Sequence, residues 1–365
     1  MKPIDCSAED MKSRVARHDD YVGDATSYTR LNTLCTSIFG GSITSLMAHP
    51  ATVGRFADPR IVSPKCGTVG YLAMKAGAGS LAYQNPDFIE FFMCLSGRLR
   101  IDFGGGHSVT LDKDDVVRVP IGVQHSIHND RSDGATIALV FANGPADCTF
   151  SSIVAGLGPD SDDTDLLAKL GVRAGPPGAD LAPGELDKSV ARCAALRPYK
   201  HSLSGAGLPP EAVEYLTASS VYPIMVPEKY EGRQRHAPLR GLTGLNLSIA
   251  ECTPNDGPLP HAHSQTQESF FALEGEWDVP CGNEMSCVVR LNQHDLVAMP
   301  VMAMRAFRNV GAETARLLVI IQQDQTNMTD VVAYTPEVGA EVRRRYSDRV
   351  LEAFEETNFA FDAEP

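Results

Sequence analysis

Between residues 67 and 142 the chain alternates short apolar runs with turn residues: GTVGYLAM, FIEFFMCLSGRLRIDFGGG, VTLDKDDVVRVPIG and ATIALVFANG. The pattern returns later as LNLSIAEC, ESFFALEGEWDVPCGN, VVRLNQHDLVAMP and ARLLVIIQQ. Short β-rich runs at regular spacing, punctuated by Gly, Asp and Asn, predict antiparallel strands closed into a barrel or sandwich. The two copies align. Glu90 falls on Glu268 and Gly97 on Gly275, 178 residues apart, while Pro120 falls on Pro300 and Asn129 on Asn309, 180 apart. The difference of two fits a slightly longer hairpin in the second copy. An internal repeat of this length means two similar domains.

The texture between the copies differs. Residues 156–188, GLGPDSDDTDLLAKLGVRAGPPGADLAPGELDK, are rich in Gly, Pro and Asp and read as a linker with one short helix in DDTDLLAKLGV. At the other end, Thr335-Pro336-Glu337 combines an N-cap, a proline at the first helical position and an acid in the first turn. A helix is expected from about 336 to 356, packed on a barrel or across a dimer interface. The expected organisation is a first barrel with an N-terminal extension over 1–155, a linker over 156–200, a second barrel over 201–334, and a helix and tail over 335–365.

Composition changes this picture little. A chain of 365 residues suits two domains, and 43% hydrophobic against 21% charged residues is ordinary for a globular protein. The net charge of −14 argues against nucleic acid as a partner. No 18-residue apolar run predicts a membrane span, and MKPIDCSAEDMKSR lacks the apolar core of a secretory signal. Nine scattered cysteines without a Cys-x-x-Cys pair read as reduced thiols of a cytoplasmic protein.

Chemistry concentrates in HAHSQTQESFFALEGEW, residues 261–277. Histidines two apart on an extended segment share a face, and a turn then brings Glu268 beside them on the next strand. Two imidazoles and a carboxylate on one face of an ion leave positions open for substrate and dioxygen. That set suits Fe(II), although Mn, Ni, Co or Zn can use it.

His261-x-His263-x4-Glu268-x6-Gly275 resembles the first sequence motif of the cupin superfamily without a misfit. The family's second motif, Pro-x-Gly-x2-His-x3-Asn, is intact in the first copy as Pro120, Gly122, His125 and Asn129. In the second copy Met302 stands for the glycine and Arg305 for the histidine. In the first copy Tyr83 and Asn85 stand for the two motif histidines before Glu90 and Gly97. The resemblance covers roughly 65–143 and 240–323 and implies an all-β bicupin: two tandem jelly-roll barrels followed by a C-terminal helix. It implies a metal in the second barrel on His261, His263 and Glu268. Tyr83, Asn85, Glu90 and His125 are a weaker second set.

Arg305 carries the sharpest expectation. It occupies the place of a ligand yet stays protonated, so it either grips a substrate anion bidentately or pairs with Glu268. Arg305 and Glu268 are thus the candidate catalytic residues. Phe307, Trp277 and Phe270 are candidate pocket walls, with barrel core as the competing role of the last two. His294 lies in a surface turn, and His128 has outward strand parity. GGGHS at 104–108 is a hairpin turn. His236 lies in EGRQRHAPLR, a basic stretch that covers the barrel mouth or is simply a solvated loop.

No Ser nucleophile elbow, Walker loop or dinucleotide fingerprint is present. The first functional expectation is an Fe(II)-dependent dioxygenase acting on a small anionic, aromatic or enolic substrate. The second is a non-oxidative metal-dependent isomerase, decarboxylase or lyase. The third is a non-catalytic small-molecule-binding bicupin. A homodimer is expected, because pairing through barrel edges hides open strands.

Overall fold

A computed structural model describes residues 1–24, 30–65, 67–144, 149–157, 164–242, 244–323 and 330–365. Two compact units emerge, but not at the expected boundaries. One comprises Asp19–Ala195, and the other combines Met1–His18 with Leu196–Pro365.

In the first unit a seven-stranded sheet has Ile89–Ser96, Thr136–Asn143 and Thr68–Met74 adjacent at its centre. A six-stranded sheet includes Tyr83–Gln84, His125–His128 and the hairpin Leu99–Phe103 to His107–Leu111. Alternate residues of both sheets, among them Phe92, Val140, Ile101 and Ile127, form one buried core. The Gly-rich 104–106 segment turns the hairpin, as its composition predicts.

In the second unit the seven-stranded sheet centres on Gln267–Ala272, Ala315–Gln322 and Leu245–Cys252. Two three-stranded sheets accompany it, one built on Trp277–Cys281 and one joining Ala262–His263 to Val332–Ala333. The motif glycines have the same task in both copies. Gly97 and Gly275 have φ of 78° and 76°, and a Cβ at Gly275 would lie 2.5 Å from that of Ala315. The motif asparagines are locks: Asn129 Nδ2 donates to three carbonyls, and Asn309 Nδ2 to those of Cys252 and Glu313.

The reason for the shifted boundaries is a short strap. Val15–Ala16 pairs antiparallel with Leu296 and Val297, and Val190–Ala191 pairs with Val116 and Val117. Each strap continues into an arginine anchored on an aspartate: Arg17 Nη1 donates to Asp295 at 2.8 Å, Arg192 Nη1 to Asp115 at 2.6 Å. The backbone amides of His18 and Cys193 donate to the other oxygen of the same aspartates. Val-Ala-Arg therefore occurs twice, and each copy straps the barrel that does not follow it in sequence. The first 18 residues of the expected extension belong with the second barrel, and part of the expected linker is the strap of the first. That linker also holds the helix Thr164–Lys169 and a strand, Val172–Ala174, parallel to Ser152–Val154.

The expected C-terminal helix is two, Pro336–Arg345 and Asp348–Glu356. Ser347 breaks it by capping the second helix, its Oγ accepting from the Val350 amide. With Pro210–Leu216, these helices bury Tyr199, Tyr334, Phe354 and Phe359. No described helix is long and apolar enough to cross a membrane.

Candidate metal centre

His261 and His263 lie in and beside a two-residue strand, and Glu268 opens the central strand that follows. Backbone bonds in both directions between His261 and Arg305 tie the two stretches together. The same frame exists in the first barrel. Gly122 N donates to Asn85 O there, and Met302 N to His263 O here.

One ligand atom from each of His261, His263 and Glu268 lies within 4.8 Å of the other two, the one such cluster of potential ligands among the described residues. Glu268 Oε2 is 3.5 Å from Nε2 of each histidine. Atoms so spaced, each about 2.1 Å from a shared ion, subtend roughly 110° there, within the range of three-ligand sites. Both imidazoles are oriented for ligation. His261 Nδ1 faces the Leu259 carbonyl at 2.8 Å, and His263 Nδ1 faces Asp330 Oδ2 at 2.5 Å, so both Nε2 lone pairs turn toward Glu268. Asp330 is itself fixed by the hydroxyls of Thr266 and Ser264 and the amide of Gln265.

The electrostatics agree with a ligand set. Burial, then the Arg305 charge, hold the His263 pKa down, and so this imidazole is neutral. Burial opposes ionisation of Glu268, but the positive charge around it, that of Arg305 included, outweighs burial and holds the carboxyl well below its usual range. A neutral imidazole and an ionised carboxylate are the forms a divalent ion binds. The residues present therefore fit a divalent metal.

Arg305 is fully buried. Its Nε donates to Glu268 Oε2 at 3.1 Å and its Nη1 to the Ala303 carbonyl at 2.8 Å, leaving Nη2 buried with no partner among the described residues. It is the counter-ion of Glu268 and does not line the adjoining cavity. That cavity, of about 70 Å³, is walled by His261, His263, Glu268, Phe307, Tyr199, Tyr334 and Arg233, with apolar residues between. Of the four expected pocket residues only Phe307 lines it. Phe270 and Trp277 are core residues packed on Phe307, with ring centroids 5.1 and 5.8 Å away, and the indole N–H of Trp277 donates to the Glu274 carbonyl.

Asp330, Thr266, Tyr199, Tyr334 and Arg233 are absent from the sequence expectations. No motif marks the first four. The signal for Arg233 was the basic stretch EGRQRHAPLR, in which Arg233 rather than the exposed His236 lines the cavity.

In the first barrel Tyr83, Asn85, Glu90 and His125 do converge, but on hydrogen bonds. Glu90 Oε2 accepts from Tyr83 at 3.0 Å and Asn85 at 2.9 Å and lies 3.2 Å from His125 Nε2, while Oε1 accepts from Arg55. Arg55 also donates to Ser152, whose hydroxyl donates to Asn85. Burial would raise the Glu90 pKa, yet Arg55, then His125 and Asn85, bring it down to about 2. With a single imidazole and a carboxylate that four neighbouring side chains already engage, these four residues do not fit a metal. His294 is a turn residue (φ 70°) stacked on Phe271, and His128 lies partly exposed beside Asp102.

Comparison with known proteins agrees with this architecture. The Cupin domain family model matches residues 70–141. The vicilin of hazelnut (Corylus avellana) superposes with a TM-score of 0.53 at 13% identity, covering 96% of this chain and 99% of that one. A point mutant of the Bacillus subtilis oxalate decarboxylase superposes with a TM-score of 0.50 at 15% identity, covering 95% and 84%. No curated protein matches in sequence. These likenesses concern the fold: all-β, with two tandem barrels.

Proposed function

For this bicupin we propose a metal-dependent enzyme whose second barrel holds one divalent ion on His261, His263 and Glu268 and acts on a small anionic substrate. The observation that supports it is the pair of imidazoles turned by Leu259 and Asp330 so that both Nε2 atoms face one ionised carboxylate. When bound, the ion supplies Lewis acidity and, as Fe(II), redox chemistry with dioxygen. Three protein ligands leave it open to substrate, unlike the closed four-ligand sites of structural zinc.

The chain's own residues do the rest. Arg305 keeps Glu268 ionised and fixed. Burial pushes the Tyr334 hydroxyl, and that of Tyr199, up from the ordinary value, so both stay neutral, and Tyr334 gives its proton to the Leu216 carbonyl at 3.2 Å. Phe307 and the aliphatic wall exclude bulk water.

Dioxygenation by Fe(II) is our first reading of the reaction. A non-oxidative isomerase, decarboxylase or lyase is the second, and the cavity size favours it: about 70 Å³ gives little room for an aromatic ring beside dioxygen. We also expect a cytoplasmic homodimer, which the mass in solution tests. The deciding experiment is metal analysis by mass spectrometry of untagged protein beside a His261→Ala, His263→Ala variant. About one iron per chain, lost in the variant, with oxygen uptake on small enolic or keto acids, supports the first reading. Manganese, nickel, cobalt or zinc without oxygen uptake supports the second. No retained metal, even after reconstitution, sinks both and leaves a binding protein.

A further inference from the structure

We propose that Arg233, not Arg305, binds the substrate's carboxylate, and that the cavity selects a short-chain acid with a second oxygen for the His261–His263–Glu268 cluster. The second oxygen rests on the metal-dependent reading above; the carboxylate subsite does not.

Arg305 has spent two of its three nitrogens on Glu268 and Ala303 and does not line the cavity. Arg233 does. It lines both this cavity and a neighbouring pocket of about 370 Å³ that Asp330 also lines, so it stands where the two meet. Its guanidinium carbon lies over the Phe359 ring, 4.7 Å from the centroid, a contact that uses none of its N–H groups. No hydrogen bond or ion pair engages Arg233 among the described residues. Tyr199, Tyr334 and Asp330 are close enough to act on its charge, but Asp330 is committed to His263, Thr266, Ser264 and the Gln265 amide. A half-buried guanidinium with unused donors, resting over an aromatic ring, suits a carboxylate.

Charge and size point the same way. With a divalent ion in place, the ion and two arginines outweigh Glu268 and Asp330, so the cavity attracts an anion. Each water-sized group needs about 10–15 Å³. About 70 Å³ therefore holds an acid of roughly five to seven non-hydrogen atoms. A benzoate-sized ring, with nine non-hydrogen atoms in all, exceeds that volume.

Isothermal titration calorimetry with pyruvate, propionate and benzoate tests this on the full chain, metal-loaded and chelator-stripped, with Arg233→Met and Arg233→Lys beside the wild type. Circular dichroism and metal content confirm that the variants are folded and loaded. Pyruvate is expected to bind the loaded wild type and to lose about 10- to 100-fold in affinity in Arg233→Met, with Arg233→Lys between. Propionate, lacking the second oxygen, should bind more weakly than pyruvate to the loaded protein and equally to the stripped one. Unchanged pyruvate affinity in Arg233→Met overturns the subsite, as does failure of every acid to bind the loaded wild type. Benzoate binding as tightly as pyruvate overturns the size selection. If the protein retains no metal but binds both acids through Arg233, the subsite stands and the metal reading falls.

Discussion

Arg55 donates to Glu90 inside the first barrel with both side chains all but sealed from solvent, at 2% and 1% exposure. Arg305 pairs with Glu268 in the second barrel in the same way, but there two imidazoles stand where this barrel has Tyr83 and Asn85. Removing one partner strands a buried charge. Arg55→Met is expected to destabilise the first barrel by about 3–5 kcal/mol, and Arg55→Met with Glu90→Gln to regain most of that. Urea unfolding reads both. A double variant no more stable than the single one would refute the stranded-charge account.

The same pair sets an acid limit. Glu90 has a pKa of about 2 in the folded chain against an ordinary 4.5. A depressed carboxyl contributes stability that is complete above 4.5 and is lost as the pH falls toward about 2. The stability gap between wild type and Glu90→Gln should therefore hold from pH 7 to about 5 and shrink below 4.5. Urea midpoints across that range check the direction.

Metal content should follow the second barrel alone. We expect about one ion per chain, unchanged in His125→Ala. Asp330→Ala touches no ligand atom of Glu268 yet frees the His263 ring. It should weaken metal affinity about 10- to 100-fold, the usual cost of losing such an orienting partner. Competition with a chelator of known affinity measures it, and an unchanged affinity would leave Asp330 without this role.

Met302 carries the backbone strain that the first copy gives to a glycine. Its φ is 64°, and Gly122 at the equivalent place has 72°. An L-residue in this region costs roughly 1–2 kcal/mol, partly offset by the entropy a glycine loses on folding. Met302→Gly is expected to be neutral or to stabilise by up to about 1 kcal/mol, and Gly122→Ala to destabilise by about 1–2 kcal/mol. Thermal unfolding of the two variants should show opposite signs.

The straps make the fifth prediction. Asp19–Ala195 contains its own strap, whereas Leu196–Pro365 lacks the one at Val15–Ala16. Expressed alone, the second fragment should leave its Leu296–Ala298 edge unpaired and aggregate. Adding a peptide of residues 1–18 in trans should restore solubility, and the same peptide with Arg17→Ala should do so less well.

Much of this was legible because strands, turns and motif positions are local signals. The apolar alternation gave both barrels, and the offsets of 178 and 180 residues gave their correspondence. His261, His263 and Glu268 were legible because strand parity and a short turn suffice to bring them together. Asp330, Tyr334 and Arg233 reach the site from stretches dozens of residues away, and no periodicity encodes that approach. Arg305 illustrates the middle case. Its placement inside the barrel followed from its alignment with a ligand position, but its partner depended on what else stood within reach. The strap was hidden by brevity: two paired residues leave no pattern, and only the recurrence of Val-Ala-Arg marks them.

That recurrence bears on descent. Each strap precedes one barrel and serves the other, so a one-barrel ancestor with a strap in front would close only by lending it to a twin and borrowing the twin's in return. Duplication and fusion of such a gene preserve the exchange and make it intramolecular, at an effective concentration near the millimolar scale. The crossing also sets a wait on the ribosome. Val15 and Ala16 leave the tunnel long before Leu296 and Val297, their partners, have been made. At about 5–20 residues per second that interval is roughly 15–60 s. Throughout it, the first strap of the nascent chain lacks the edge that it joins in the folded protein.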